Sequence, residues 1–443
     1  MIAIDVPSIK NGYNSLSKRF FISLLHKNTI QKQVQNPHRW WFCTKNTFIK
    51  KMTSDKLLNH LHTRQSAGLY RTRKTIHNQK NAHVTVQGKT LINFCSNDYL
   101  GLSVNETVIA ALQKGAEKFG VGSGSAHLIC GHSSAHHALE EALADFTGRE
   151  RSLLFSTGYM ANLGTITALC KQGDSIFEDK LNHASLLDGG LFSGARFRRY
   201  PHNDTQRLSQ LVSTPTEGEK LIVTDGVFSM DGDVADLRAL SDIAQKNAAW
   251  LMVDDAHGLG VLGKTGGGLV EELQLSANDV PILMGTLGKA FGTFGAFIAG
   301  SNTLIESLIQ SSRAYIYTTA LPPAIAYATH ASLKIVTQET WRRETLQALI
   351  TQFKAGATQL NLPLMPSNSP IQPVLVGDSI RALQMSEQLF AAGFLVSAIR
   401  PPTVPQGKAR LRITLSALHQ PHDINRLLDA LATIHRSYSC NAK

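Results

Sequence analysis

Thr286-Leu287-Gly288-Lys289-Ala290-Phe291-Gly292 sets a lysine between glycines, directly after the apolar run Pro281 to Met284. Ile282 and Leu283 read as a strand, which delivers Lys289 to the edge of a sheet. A lysine near glycines is most often a solvated loop residue. One that attacks an aldehyde needs a partly desolvated pocket and a ligand that comes close to the backbone, and small neighbours permit that approach. The upstream stretch Leu251-Met252-Val253-Asp254-Asp255-Ala256-His257-Gly258 favours the second reading. It is a buried-type strand ending in an acid, followed by a histidine. A carboxylate at one strand end and a lysine arriving from a later strand suit pyridoxal phosphate (PLP). The acid keeps the pyridine nitrogen protonated and the lysine holds the aldehyde.

Around these two stretches the chain alternates strand and helix. Strand-like runs are Ser152–Phe155, Ser175–Phe177, Lys220–Val223, Trp250–Val253, Ile282–Met284 and Ala296–Ala299, with helical patterns at Tyr159–Lys171, Ala235–Lys246 and Thr303–Ser311. Apolar strands separated by helices predict an α/β fold with a mostly parallel sheet covered on both faces. Ligands of such sheets gather outside the carboxyl ends of the strands. The chemically capable residues stand there: Ser156 to Tyr159, Asp225 to Ser229, Asp254 to His257 and Thr286 to Lys289.

Beyond Leu321-Pro322-Pro323 the texture changes to long helices (Ala324–Gln338, Trp341–Ala355) and short strands (Ile371–Val376, Phe394–Ile399, Leu411–Thr414), closed by a helix over Asp423–Arg436. This predicts a smaller α+β domain over 331–443, beside a large domain over 96–330. Residues 52–95 read as a helix, Ser54–Arg73, and a hairpin, His83–Asn93. The glycine-rich run Phe119 to Ala126 precedes a helix over His136–Phe146; such a loop either cradles phosphate or is a flexible connection.

The 443 residues carry a formal charge of +11, which on its face suggests nucleic acid. The distribution says otherwise. Residues 1–51 hold nine Lys and Arg against one acid, Asp5, so only +3 belongs to the other 392 residues. The basic character is a property of this extension, and Met52 reads as the natural start of the domain sequence. Five cysteines show no paired spacing, as in a reducing compartment. No apolar run approaches the roughly 18 residues of a membrane span.

TLGKAFG, LMVDDAHG, TDGVFSMDGD, NHASLLDG and FCSNDYLGL together resemble, in order and spacing from Ser54 to Ile434, the α-oxoamine synthases. These are PLP enzymes of the aspartate-aminotransferase fold type (fold type I) that condense an amino acid with an acyl thioester and lose carbon dioxide. Ser369-Pro370-Ile371-Gln372-Pro373 and Ala398 to Pro405 look most like the branch that uses L-alanine and a pimeloyl thioester. The thioester carrier is open between coenzyme A and an acyl carrier protein. A sister enzyme using glycine or serine is the alternative.

The resemblance implies roles residue by residue. Lys289 carries the cofactor aldehyde and later moves the substrate α-proton. Asp254 pairs with the ring nitrogen, and His183 stacks on the ring. Ser229 and His257 bond the phenolic oxygen. Gly158, Tyr159 and Thr286 hold the phosphate, with Thr318 and Thr319 approaching it from a partner subunit in a homodimer. Asn97 and Arg412 clamp the substrate carboxylate; Arg71, Arg400 and Thr403 serve the acyl chain. The glycine-rich loop of the family often carries an arginine where this chain has His127. The implied enzyme is cytoplasmic and has no metal site, no nucleic-acid partner and no membrane partner.

Overall fold

The computed structural model describes residues 55–440, without the side chains of 438–440. The expected extension, residues 1–51, and the reading of Met52 as a start lie outside the described residues. The chain divides after Ser66 into two compact units. The described residues of the first form the helix Asp55–Ser66, with Asp55 in its first turn and Arg64 in its last, as the helix dipole favours. It has no buried residue and ends seven residues before the expected Arg73; Gly68 follows in the left-handed conformation (φ +64°) that stops helices.

The second unit opens with antiparallel strands β1 (Ile76–Lys80), β2 (His83–Val86) and β3 (Lys89–Asn93). Gln87 and Gly88, both at positive φ, form the two-residue turn between β2 and β3 that the strand twist demands. Val84, Val86 and Leu91 are buried. Strand β1 is exposed at every residue, so alternation did not reveal it.

The central sheet has seven strands: β4 (Arg151–Phe155), β5 (Ser175–Asp179), β6 (Arg196–Tyr200), β7 (Lys220–Asp225), β8 (Trp250–Asp254), β9 (Ile282–Thr286) and β10 (Ala296–Gly300). Their order in space is β4-β10-β9-β8-β7-β5-β6. Strands β5 to β9 pair in parallel, whereas β10 runs antiparallel to both β9 and β4. Chain length explains the exception. A parallel return needs a crossover of about a dozen residues or more, and only Leu287 to Gly295 separate β9 from β10. That short connection carries Lys289. Gly292 within it sits at φ +65°, and a Cβ there would lie 2.3 Å from the Ser103 backbone nitrogen. The lysine loop is thereby seated directly on the segment that follows Asn97 and Tyr99.

The remaining strands are β11 (Ile371–Gly377), β12 (Phe394–Leu395), β13 (Ser397–Ile399) and β14 (Ala409–Thr414). The expected single strand over Phe394–Ile399 breaks at Val396. Its first half pairs in parallel with β3, and its second joins β14 in a three-stranded antiparallel sheet. One apolar cluster links Phe94, Phe291, Leu321, Phe353, Leu411 and Leu427. The β3–β12 pairing, this cluster and the Lys289 loop hold Asn97, Lys289 and Arg412 within one packed body.

Candidate active site

Strands β5, β7, β8 and β9 end at the same edge of the sheet. Asp225 and Asp254 are register partners on adjacent strands, so two buried carboxylates stand side by side there. Asp254 accepts N–H bonds from Asn162 Nδ2 (2.7 Å) and the Ala256 backbone (3.0 Å). Burial first, then the neighbouring Asp254, pushes the Asp225 carboxyl well above its ordinary range. Asp225 accepts the His183 backbone N–H at 2.6 Å, which fixes the loop after β5. His183 begins the helix Ala184–Phe192, with Nδ1 against the Ser185 hydroxyl at 2.7 Å. Burial lowers its pKa, against the pull of Asp254 and with help from Lys289.

Lys289 Nζ lies 2.9 Å from His257 Nε2. Burial brings the lysine down to about 8, although Asp254 and Asp225 oppose the shift. His257 is held well below its ordinary value by burial, then by the cations of Lys289 and Arg412. A neutral His257 has one ring proton. With Lys289 donating to Nε2, that proton sits on Nδ1, which meets the Tyr99 hydroxyl oxygen at 2.6 Å. Tyr99 in turn donates to Asn97 Oδ1 at 3.3 Å. Donors and acceptors thus alternate along Lys289, His257, Tyr99 and Asn97. The sequence reading had Tyr99 only inside the motif FCSNDYLGL and gave it no role; the structure buries it completely between Asn97 and His257.

Arg412 on β14 reaches the same place. Both its terminal nitrogens donate to Asn97 Oδ1 at 3.2 Å, Nε donates to the Ser229 carbonyl at 2.7 Å, and one nitrogen reaches Thr414 Oγ1 at 3.0 Å. Each partner is a neutral oxygen. The guanidinium is buried, and among the described residues no carboxylate forms an ion pair with it. A buried cation without a counter-ion is costly unless an anionic ligand completes it.

The other expected residues fall into two groups. Gly158 and Tyr159 open the helix Gly158–Leu169, capped by Thr157, so their backbone N–H groups point out of a helix start. The Tyr159 hydroxyl donates to Asp188. Thr286 ends β9 with its hydroxyl donating to the Gly295 carbonyl at 3.2 Å. Thr319 is near, its carbonyl accepting from Ser156 Oγ at 3.3 Å; Thr318 is its half-buried neighbour. The second group lies apart. Arg71 donates to Thr403 Oγ1 at 3.1 Å and Arg400 to the Gly68 carbonyl. All three line a cavity of about 680 Å³ that Lys74, Cys95 and Ser397 also border. Lys289 and Asp254 do not line it, but Ser397 is the register partner of Arg412.

The buried lysine, the strand-end carboxylate, the helix start and the unpaired guanidinium match the four demands of PLP with an amino acid: aldehyde, ring nitrogen, phosphate and substrate carboxylate. A family model described as aminotransferase class I and II matches residues 89–431, and the chain belongs to that family. Within it the chain falls among the 8-amino-7-oxononanoate synthases. It is 60% identical over 376 residues to the one from Pseudomonas putida, covering 85% of this chain and 96% of the relative. It is 57% identical over 386 residues to the one from Saccharophagus degradans, covering 87% and 97%. Among solved structures, serine palmitoyltransferase from S. paucimobilis with bound PLP superposes with a TM-score of 0.83 at 30% identity, covering 87% of this chain and 98% of that one. The 8-amino-7-oxononanoate synthase of Francisella tularensis gives 0.70 at 34%, covering 79% and 99%.

Proposed function

We propose that this chain joins L-alanine to a pimeloyl thioester and releases 8-amino-7-oxononanoate, carbon dioxide and the free thiol. The observation that carries the substrate side is buried Arg412, bonded only to neutral oxygens beside Lys289 and Asn97. PLP, when bound, supplies a ring that accepts the electron pair of the alanine α-carbon as that carbon loses first its proton and later its carboxylate.

The residues do the rest. Lys289 would hold the cofactor aldehyde, and its amine, which burial brings down to about 8, would take and return the α-proton. Asp254, held by Asn162 and Ala256, meets the ring N–H. His183 would cover the ring, and Ser229 and His257 would flank the phenolic oxygen. The backbone N–H groups of Gly158 and Tyr159 bind the phosphate with Thr286. In a homodimer Thr318 and Thr319 serve the neighbouring protomer. Arg412 and Asn97 fix the alanine carboxylate, and Arg71, Arg400 and Thr403 meet the far end of the acyl chain. The carrier is coenzyme A or an acyl carrier protein. The setting is cytoplasmic; no helix among the described residues is long and apolar enough to cross a membrane.

Product analysis tests the reading. Purified protein with pimeloyl-coenzyme A and labelled alanine yields labelled 8-amino-7-oxononanoate; turnover with glycine or serine and none with alanine would assign it instead to the sister activities.

Tyr99 is a positioning residue in this scheme, because its oxygen fixes the His257 tautomer that offers Nε2 to the lysine. Tyr99→Phe should lower kcat about 5- to 13-fold, as loss of one hydrogen bond of roughly 1–1.5 kcal/mol implies, and should displace the limb of the pH–rate profile that reports Lys289. An unchanged profile with a merely less stable protein would assign Tyr99 to packing alone.

A further inference from the structure

Away from Lys289, four chain segments bring three imidazoles to one point. His127 follows the glycine-rich loop, His132 ends the turn after it, and His136 lies in the first turn of the helix Ser134–Thr147. The fourth segment, Arg313 to Leu321, supplies the Tyr315 ring, stacked on His127 at 5.0 Å, and the Leu321 carbonyl. One nitrogen from each histidine lies within 4.8 Å of the other two. Nδ1 of His127 and Nδ1 of His132 are 3.0 Å apart. The ring centres are separated by 5.3, 5.1 and 5.6 Å. Three imidazoles on one tetrahedral cation, each at a metal–nitrogen distance of about 2.0–2.1 Å, would have ring centres roughly 5.2 Å apart and nitrogens roughly 3.4 Å apart. The triangle is already close to that size.

The outer contacts set the tautomers that ligation needs. His136 Nε2–H donates to the Leu321 carbonyl at 2.5 Å, so its lone pair is on Nδ1. Ser133 covers that nitrogen at 3.0 Å through its backbone N–H and at 2.9 Å through its hydroxyl; a cation would displace these contacts. His132 turns Nε2 toward the Glu140 carboxylate at 3.9 Å, leaving Nδ1 for the cluster. A carbonyl or carboxylate behind the outer ring nitrogen is the usual support of a metal-bound histidine.

We propose that His127, His132 and His136 bind one borderline divalent cation of the zinc class, with water completing the tetrahedron, and that the cation fastens the end of the glycine-rich loop to the helix Ser134–Thr147. The spacings His127-x4-His132 and His132-x3-His136 are ligand-like, but the glycine-rich run drew the sequence reading away from them; the turn at His127–Gly131 brings the three rings together. The reading is independent of the proposed reaction. Its test uses the full chain with PLP bound, freed of metals by a chelator and titrated with Co²⁺. One Co²⁺ per chain is expected, with the intense visible bands of tetrahedral cobalt, bleached by one equivalent of Zn²⁺. His132→Ala alters an exposed residue and should weaken binding at least ~100-fold, while Glu140→Gln should weaken it about tenfold. The pair His60→Ala and His62→Ala should change nothing. Weak octahedral bands, or affinity unaltered by His132→Ala when circular dichroism shows the variant folded, would overturn the site. If the cation fastens the loop, Zn²⁺ slows proteolytic cleavage between Gly120 and Ala126 in the unaltered protein but not in His132→Ala.

Discussion

Lys289→Ala should purify as a folded protein that loses its cofactor on dialysis and forms product at least ~10³-fold more slowly. The side chain makes one hydrogen bond, to His257 Nε2, at the end of the chain that runs through Tyr99 to Asn97. Its loop is held by backbone bonds, Leu287 to Gly295 and Thr293 to Leu287, and by the close seat of Gly292, none of which involves the amine. Removing a buried cation whose pKa is already lowered to about 8 relieves desolvation, so stability should not fall. The sign is fixed: a lysine lowered in the folded state costs stability in full below its folded value of about 8, and the cost fades as pH rises from there toward the unfolded value of about 10.4. The variant should therefore gain on the unaltered apo-protein as pH falls from about 10 to about 8, and keep that gain below. Product formation by Lys289→Ala within tenfold of normal would sink the assignment, and denaturant unfolding at the two pH values checks the stability half.

Asp254→Asn should reduce the rate about 10²- to 10³-fold, the range seen when one preorganised electrostatic contact is removed from a buried site. The substitution keeps shape and one acceptor. It places an amide against Asn162 Nδ2 and the Ala256 N–H, two donors that now bind a carboxylate. Both carbanion-forming steps draw on the same ring, so the α-proton exchange of alanine, measured without thioester, should slow alongside overall turnover. Exchange at the normal rate with slow turnover would place Asp254 outside the ring contact.

The two stretches that named the cofactor were legible because strand-end chemistry is local: apolar run, acid, then lysine at the next strand. Parallel pairing also followed from alternation of strand and helix, up to β10, where connection length overrode it. Strand β6, Arg196–Tyr200, was missed because it is an arginine-rich edge strand with only Tyr200 fully buried, so it lacks the apolar signature of its neighbours. Asn162 and Tyr99 were illegible for another reason. Each acts through a partner about 90 to 160 positions away, and no local pattern records such a pairing. The glycine-rich loop illustrates the same limit, since its histidines gain meaning only when Leu321 and Tyr315 fold over them.

The position of Arg412 has an effect on timing. Its charge weakens the basicity of Lys289 and of His257 alike. On the proposed reading, an amino acid whose carboxylate neutralises the guanidinium would lift that influence, so that an anion at one end of the cleft would arm the base at the other.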